Sequence, residues 1–91
     1  QIQIDSVFPN PFNSSTKIKY KIKRTGTVLT CIFDLSGNAV AEHYHKNQTR
    51  GTHLFQWDGK TKSGLSLPAG VYFFSVSLNG ISSTQKIIYL K

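Results

Sequence analysis

The chain has 91 residues, enough for one domain with a single core layer, since a polypeptide of this size hides only roughly 60–65% of the surface it exposes when unfolded. It holds no methionine, one tryptophan, four tyrosines and six phenylalanines, and is rich in valine, isoleucine, threonine and serine, a β composition. Eleven Lys and Arg against four Asp and Glu give a formal charge of +7, which favours acidic partners and says nothing of fold. No apolar run approaches the roughly 18 residues of a helical membrane span.

Segments of period two alternate with turn signals along the chain. Ile2 to Val7 reads as a short first strand, after which FPNPFNSS breaks the pattern with two prolines. Thr16 to Ile22 follows, with Ile18, Tyr20 and Ile22 predicted inward and Lys17, Lys19, Lys21 and Lys23 outward. Beyond Thr25-Gly26 comes Thr27 to Asp34, and Ser36-Gly37-Asn38 turns the chain into Ala39 to Lys46. The loop NQTRG leads to Thr52 through Trp57, and DGKTKSGLSLPAG precedes Val71 to Leu78. Asn79-Gly80 supplies the two positive-φ positions of a type I′ turn into Ile81 to Leu90, so the last two strands should form a tight hairpin. Seven such strands predict an all-β, immunoglobulin-like antiparallel β-sandwich over residues 1–91, one domain without the Cys–Trp–Cys spacing of antibody domains.

The lysines of the second segment form one row, spaced about 6.6–6.8 Å apart. Unscreened neighbours at that spacing repel by only ~0.6 kcal/mol in water, so the row needs no ligand to explain it. On an edge strand it would block edge-to-edge association. As a functional surface, Lys17, Lys19, Lys21 and Lys23 are candidates for an anionic contact with an acidic glycan or lipopolysaccharide. Specific nucleic-acid recognition is excluded, because the exposed positions lack stacking aromatics and no recognition helix or RNA-binding signature is present.

His43 and His45 share one side of a strand, and His53 opens the next segment. In a hairpin with His45 opposite His53 the three could hold a metal. A one-residue slip, with Tyr44 opposite His53, sends His43 and His45 to the other side. Val40 and Tyr44 are the better inward candidates, which favours the slipped register, solvent-facing histidines with one capped at the sheet edge, and no metal. The lone Cys31 lacks the neighbours of a redox or zinc motif and reads as a small buried or half-buried hydrophobe.

Catalysis is not expected, and no cofactor is implied. Asp5, Asp34, Glu42 and Asp58 stand apart in sequence, no serine lies in a GxSxG elbow, and no glycine loop precedes a helix. Asp34 and Asp58 adjoin glycine turns, where a carboxylate accepts backbone N–H bonds. Lys60 and Lys62 beside Asp58 oppose calcium. Asn13-Ser14-Ser15 and Asn47-Gln48-Thr49 fit the glycosylation pattern, which matters only in a eukaryotic secretory setting. QIQIDSV lacks the plan of a signal peptide, so the chain is either cytosolic or one piece of a longer secreted protein.

The motifs go further than local chemistry. PNPFN (Pro9 to Asn13) before the strand at Thr16, IFDLSGNAV (Ile32 to Val40), GTHLFQWDGKTKSGLSLPAGVYFFSV (Gly51 to Val76) and the terminal QKIIYLK together resemble the C-terminal sorting domain of proteins exported by the bacterial type IX secretion system. The resemblance spans Val7 to Lys91. The half from Trp57-Asp58-Gly59 to Pro68-x-Gly70-x-Tyr72 is similar also to the immunoglobulin-like domain of the flagellar hook-cap protein, whereas the PNPF opening and the lysine–apolar tail fit the sorting domain better. Thr30 and Cys31 depart from the family's apolar–polar order and leave the facing of Leu29, Cys31 and Phe33 open. Pointing outward, those three would form a patch able to contact a neighbouring domain.

The resemblance implies a non-catalytic secretion and anchoring module at the C-terminus of an exported bacterial protein, extracellular or at the cell surface after passage through the periplasm. Its implied partners are the outer-membrane secretion machinery and the preceding domain of the parent protein. The implied recognition surface comprises Pro9, Asn10, Pro11 and Phe12 with Lys86, Ile87, Ile88, Tyr89, Leu90 and Lys91. The alternatives are a passive spacer domain of an extracellular enzyme and a module binding anionic glycans.

Overall fold

The computed structural model describes residues 2–91. Seven strands form in chain order: β1 (Ile2–Phe8), β2 (Thr16–Ile22), β3 (Gly26–Phe33), β4 (Ala39–Gln48), β5 (Gly51–Trp57), β6 (Gly70–Leu78) and β7 (Ile81–Tyr89). They build two antiparallel sheets packed face to face, one ordered β1-β2-β5 and the other β4-β3-β6-β7. The all-β sandwich expected from the sequence is the observed architecture, with strand ends within two residues of those predicted.

Alternation sets the core. On β2, Ile18, Tyr20 and Ile22 are buried while Lys17, Lys19 and Lys21 are exposed. Val28, Thr30 and Ile32 of β3 and Tyr72, Phe74, Val76 and Leu78 of β6 face them from the other sheet. Burying a side chain of this size stabilises the fold by about 1.5–3 kcal/mol, and period two gives each strand several of them on one side. At the tip of the last hairpin, Asn79 and Gly80 both have positive φ (53° and 78°) and Leu78 pairs with Ile81, the type I′ geometry expected.

The facing of Leu29, Cys31 and Phe33 is settled by the inward trio beside them: all three look away from the core. Cys31 is nonetheless buried and its thiol pKa is raised, chiefly by that burial. Phe33 lies opposite Phe73 and Leu29 opposite the exposed Tyr44, which places apolar pairs on the outer surface of the four-stranded sheet.

Two expectations fail. First, β2 is the central strand of its sheet, so its lysine row does not guard an edge. Second, β4 and β5 do not form a hairpin: β4 pairs with β3 and β5 with β2, and no Cα of β4 lies within 8 Å of one in β5. The loop between them carries the chain from one sheet to the other. Neither register considered for His45 and His53 therefore applies.

The inward residues of β4 are Ala41, which is buried, and His43 and His45, which are half-buried, while Tyr44 is 66% exposed. Solvent-facing histidines are thus also corrected. Strand β4 borders the open side of the sandwich, where an imidazole packs its ring inward and still finds a polar partner. The His43 ring lies 5.4 Å from that of Phe55, and His45 Nε2 is 3.0 Å from the buried Thr30 hydroxyl. His53 comes from the opposite sheet and is capped, its Nε2 2.6 Å from the Thr49 carbonyl. Among the described residues no group of three His, Cys, Asp or Glu is placed to hold a metal ion.

Burial pushes the His45 pKa below its ordinary value of 6.5, and the nearby His43 and His53 push it the same way. The folded state thus resists a proton that the unfolded chain accepts. Stability is therefore undiminished above pH 6.5 and falls as the pH drops from there toward the lowered folded value, below which this contribution is constant. Urea unfolding followed through that window should show a falling midpoint for the native protein and a flatter profile for His45→Gln.

Candidate functional site: the proline turn and the last strand

The two segments singled out as a recognition surface lie far apart in sequence and side by side in the fold. Prolines 9 and 11 remove two backbone donors and fix φ, so residues 9–13 cannot form a regular strand. The X–Pro bonds Phe8–Pro9 and Asn10–Pro11 are cis. The turn is held instead by side chains. The Thr16 hydroxyl, fully buried, donates to the Pro9 carbonyl at 2.7 Å.

Asn10 makes the decisive link to the C-terminal strand. Its amide Nδ2 donates to the Lys86 carbonyl at 3.1 Å, and its Oδ1 accepts the Ile88 N–H at 2.9 Å. The side chain thereby acts as a peptide group, extending the ladder along the outer edge of β7. Main-chain bonds continue it: Phe12 N–H to the Ile88 carbonyl at 3.0 Å, and Leu90 N–H to the Phe12 carbonyl at 2.8 Å. The C-terminal part of the unpaired edge of β7, from Lys86 onward, is thus covered by the PNPF turn, a device that hides strand donors and acceptors from other chains.

Phe12 then turns inward. It is 1% exposed, stacked on Tyr89 at 4.8 Å between ring centroids and edge-on to Trp57 at 5.6 Å. Trp57 in turn meets Tyr72 edge-on at 5.1 Å. The indole N–H donates to the Lys60 carbonyl at 3.0 Å and the Tyr72 hydroxyl to the Pro68 carbonyl at 2.6 Å, which satisfies both polar tips. Gly59 has a φ of 75°, and a Cβ there would overlap the Tyr89 ring. Four of the sequence motifs, namely the PNPF turn, Trp57-Asp58-Gly59, Pro68 to Tyr72 and the terminal tail, converge on this one end of the sandwich.

The convergence divides the ten candidate residues. Phe12, Ile87 and Tyr89 are core residues, and Ile88 is half-buried. Pro9, Asn10, Pro11, Lys86, Leu90 and Lys91 are exposed, and Leu90 shows 52% of its surface. The Lys91 ammonium reaches the Leu67 carbonyl at 3.4 Å. Neither Thr16 nor the ladder role of Asn10 was anticipated. Two prolines flanking an asparagine signal a turn that lacks main-chain donors, but not the strand whose edge supplies its partners.

Lys17, Lys19 and Lys21 are exposed on β2 of the opposite sheet, and Lys23 is exposed just past the end of that strand. Three of the four acids are tied into local structure. Asp34 accepts the N–H groups of Ser36 and Asn38, both at 2.9 Å, bonds that hold its pKa low, the Asn38 N–H above all. Asp58 accepts the Lys60 N–H at 3.3 Å, and Asp5 the Gln3 amide at 2.7 Å.

No curated protein matches the chain. Solved structures of the same fold include PorU from Porphyromonas gingivalis, a dimeric latent form, at 21% identity and a TM-score of 0.67; it is covered over 97% of this chain and only 9% of its own. FlgD from P. aeruginosa is 23% identical with a TM-score of 0.65, over 96% of this chain and 65% of its own. PorZ from P. gingivalis is 18% identical with a TM-score of 0.64, over 97% and 11%. At these identities the likeness establishes the sandwich fold, and this chain spans less than two thirds of each of the three. The match to the FlgD Ig-like domain runs from residue 12 to residue 80, from the anchoring phenylalanine to the last hairpin turn, and the chain belongs to that family.

Proposed function

We propose that this domain is a non-catalytic sorting and anchoring module of an exported bacterial protein, read by the outer-membrane secretion machinery. One observation carries this reading. The PNPF turn and the terminal strand, the two segments in which the sequence departs from a plain hook-cap-type domain toward the type IX sorting domain, are hydrogen-bonded into a single exposed strip. Pro9, Asn10 and Pro11 form one side of it and Lys86, Leu90 and Lys91 the other. The likeness in fold to PorZ, described as an essential bacterial surface component of the type IX secretion system, supports the same reading and a cell-envelope location. The apolar outer surface around Phe33, Phe73 and Tyr44 is where a preceding domain of the parent protein would pack.

A second reading, a passive spacer domain, draws on the same cluster. Phe12, Trp57, Gly59 and Tyr72 each have a packing duty that would account for the motifs without any recognition.

The two separate by experiment only if folding and recognition are uncoupled. Deleting Lys86 to Lys91 removes Ile87 and Tyr89 from the core, so loss of export by that truncation would say little. Phe12→Ala should cost about 3–5 kcal/mol, and Asn10→Ala about 1–2 kcal/mol through the two lost edge bonds, both read by chemical denaturation. The discriminating variant combines Lys86→Glu, Leu90→Ser and Lys91→Glu, all at exposed positions. Fused to the C-terminus of a secreted reporter in a bacterium with a working type IX system, it should keep its unfolding midpoint and lose surface delivery. Normal delivery of the reporter by this variant would refute the sorting role and leave the spacer.

A further inference from the structure

Each open sheet has two strands with an unpaired backbone side, and proteins usually guard these edges. Strand β1 is bulged between Ile4 and Ser6 and leans against β7. Strand β4 has breaks in register in its pairing with β3 and displays Glu42 and Lys46. The edge of β7 is occupied from Lys86 onward by Asn10 and Phe12. Strand β5 has none of these devices. Gly51–Trp57 pairs with β2 without interruption, contains no proline and no charged residue, and has no strand on its other side among the described residues.

A cavity of about 390 Å³ opens along that side. Phe55, Gln56 and Trp57 all line it. Because consecutive side chains of a strand point to opposite faces, a cavity touching three in a row runs along the strand's edge and not over one face. His43 of β4 stands across it, and Lys60 and Lys62 lie at its end with Asp58 the only acid. On the outward side, Lys17 and Lys19 sit opposite Gln56 and Leu54 in the neighbouring strand, and Leu54 is 66% exposed.

We propose that the free edge of β5 is a docking site for an extended acidic segment of a partner protein, which adds a fourth strand to the three-stranded sheet. Main-chain bonds to β5 supply the pairing, and the cavity beside Phe55 and Trp57 takes an inward side chain. The lysines of β2 and of the 60–62 loop draw carboxylates at alternate outward positions. A second copy of this chain is the wrong occupant. It would bring its own +7 and set a second lysine row beside the first.

The test uses the whole domain and a capped peptide of alternating glutamate and valine, followed by amide chemical shifts and by the emission of Trp57, the only tryptophan. Binding should move the β5 amides and the Trp57 indole, weaken as salt rises, and be absent for the lysine–valine analogue. A proline-interrupted peptide of the same charge, which lacks the ladder donors, should bind at least about tenfold more weakly. Leu54→Glu, a change at an exposed position, should weaken binding by about tenfold while the unfolding midpoint stays put. Equal binding of the proline-interrupted peptide, with shifts confined to the lysine row, would overturn the proposal in favour of a bare charge contact. Concentration-dependent shifts of β5 without peptide would overturn it in favour of self-association.

Discussion

The structure depends on the closing of one end of the sandwich by Phe12. This residue belongs to neither sheet, yet its backbone bridges Tyr89 and its ring completes a three-ring cluster with Tyr89 and Trp57. A chain of 91 residues with a one-layer core has little surplus burial, and its net stability is expected to be a few kcal/mol to about 10. An aromatic residue worth several kcal/mol is then a large part of what keeps the two sheets together. The Pro–Asn–Pro sequence before it positions Phe12, and the Asn10 amide fixes the position against β7.

The same contact decides which edges stay available. The PNPF turn covers the last part of the β7 edge, and the bulge in β1 guards the edge of the neighbouring sheet. Both guarded edges lie on the side where β1 and β7 approach each other. The opposite side is left open, bordered by β4 and β5, and is filled by histidines and Phe55 in place of a continuous apolar wall. The sandwich is therefore unequal: an aromatic seam at the turn, and a polar, histidine-lined slot across from it.

The parts of this arrangement that depend on local alternation were legible in the sequence. Thr16 to Ile22 was assigned at both ends and on both faces because three apolar and three lysine residues alternate without exception. Asn79-Gly80 fixed its hairpin because few other dipeptides take two positive φ angles cheaply. Strand β4 was misread because its most apolar residues, Val40 and Tyr44, are not its inward ones. At the border of a sandwich Ala41 and two imidazoles can fill the inward positions, so hydrophobicity no longer reports parity. The crossing between β4 and β5 was equally hidden, since a short polar loop looks the same whether it closes a hairpin or changes sheets. The candidate recognition strip was legible as two segments, but not as one surface: no pattern in the sequence announces that a side-chain amide will pair with a strand 78 positions away.

Family membership and function separate along the same line. The match to the FlgD Ig-like family spans residues 12–80, and within it Trp57, Gly59 and Tyr72 all act inside the molecule. Their requirement is geometric: an indole whose N–H finds the Lys60 carbonyl, a glycine with no Cβ against a tyrosine ring, a tyrosine whose hydroxyl reaches the Pro68 carbonyl. What distinguishes one member from another must lie in side chains the shared core does not use. In this chain those are the exposed half of the proline turn, the tail beyond Tyr89, the lysines of β2 and the bare edge of β5. Any specificity of the domain has to come from residues that its packed core leaves exposed.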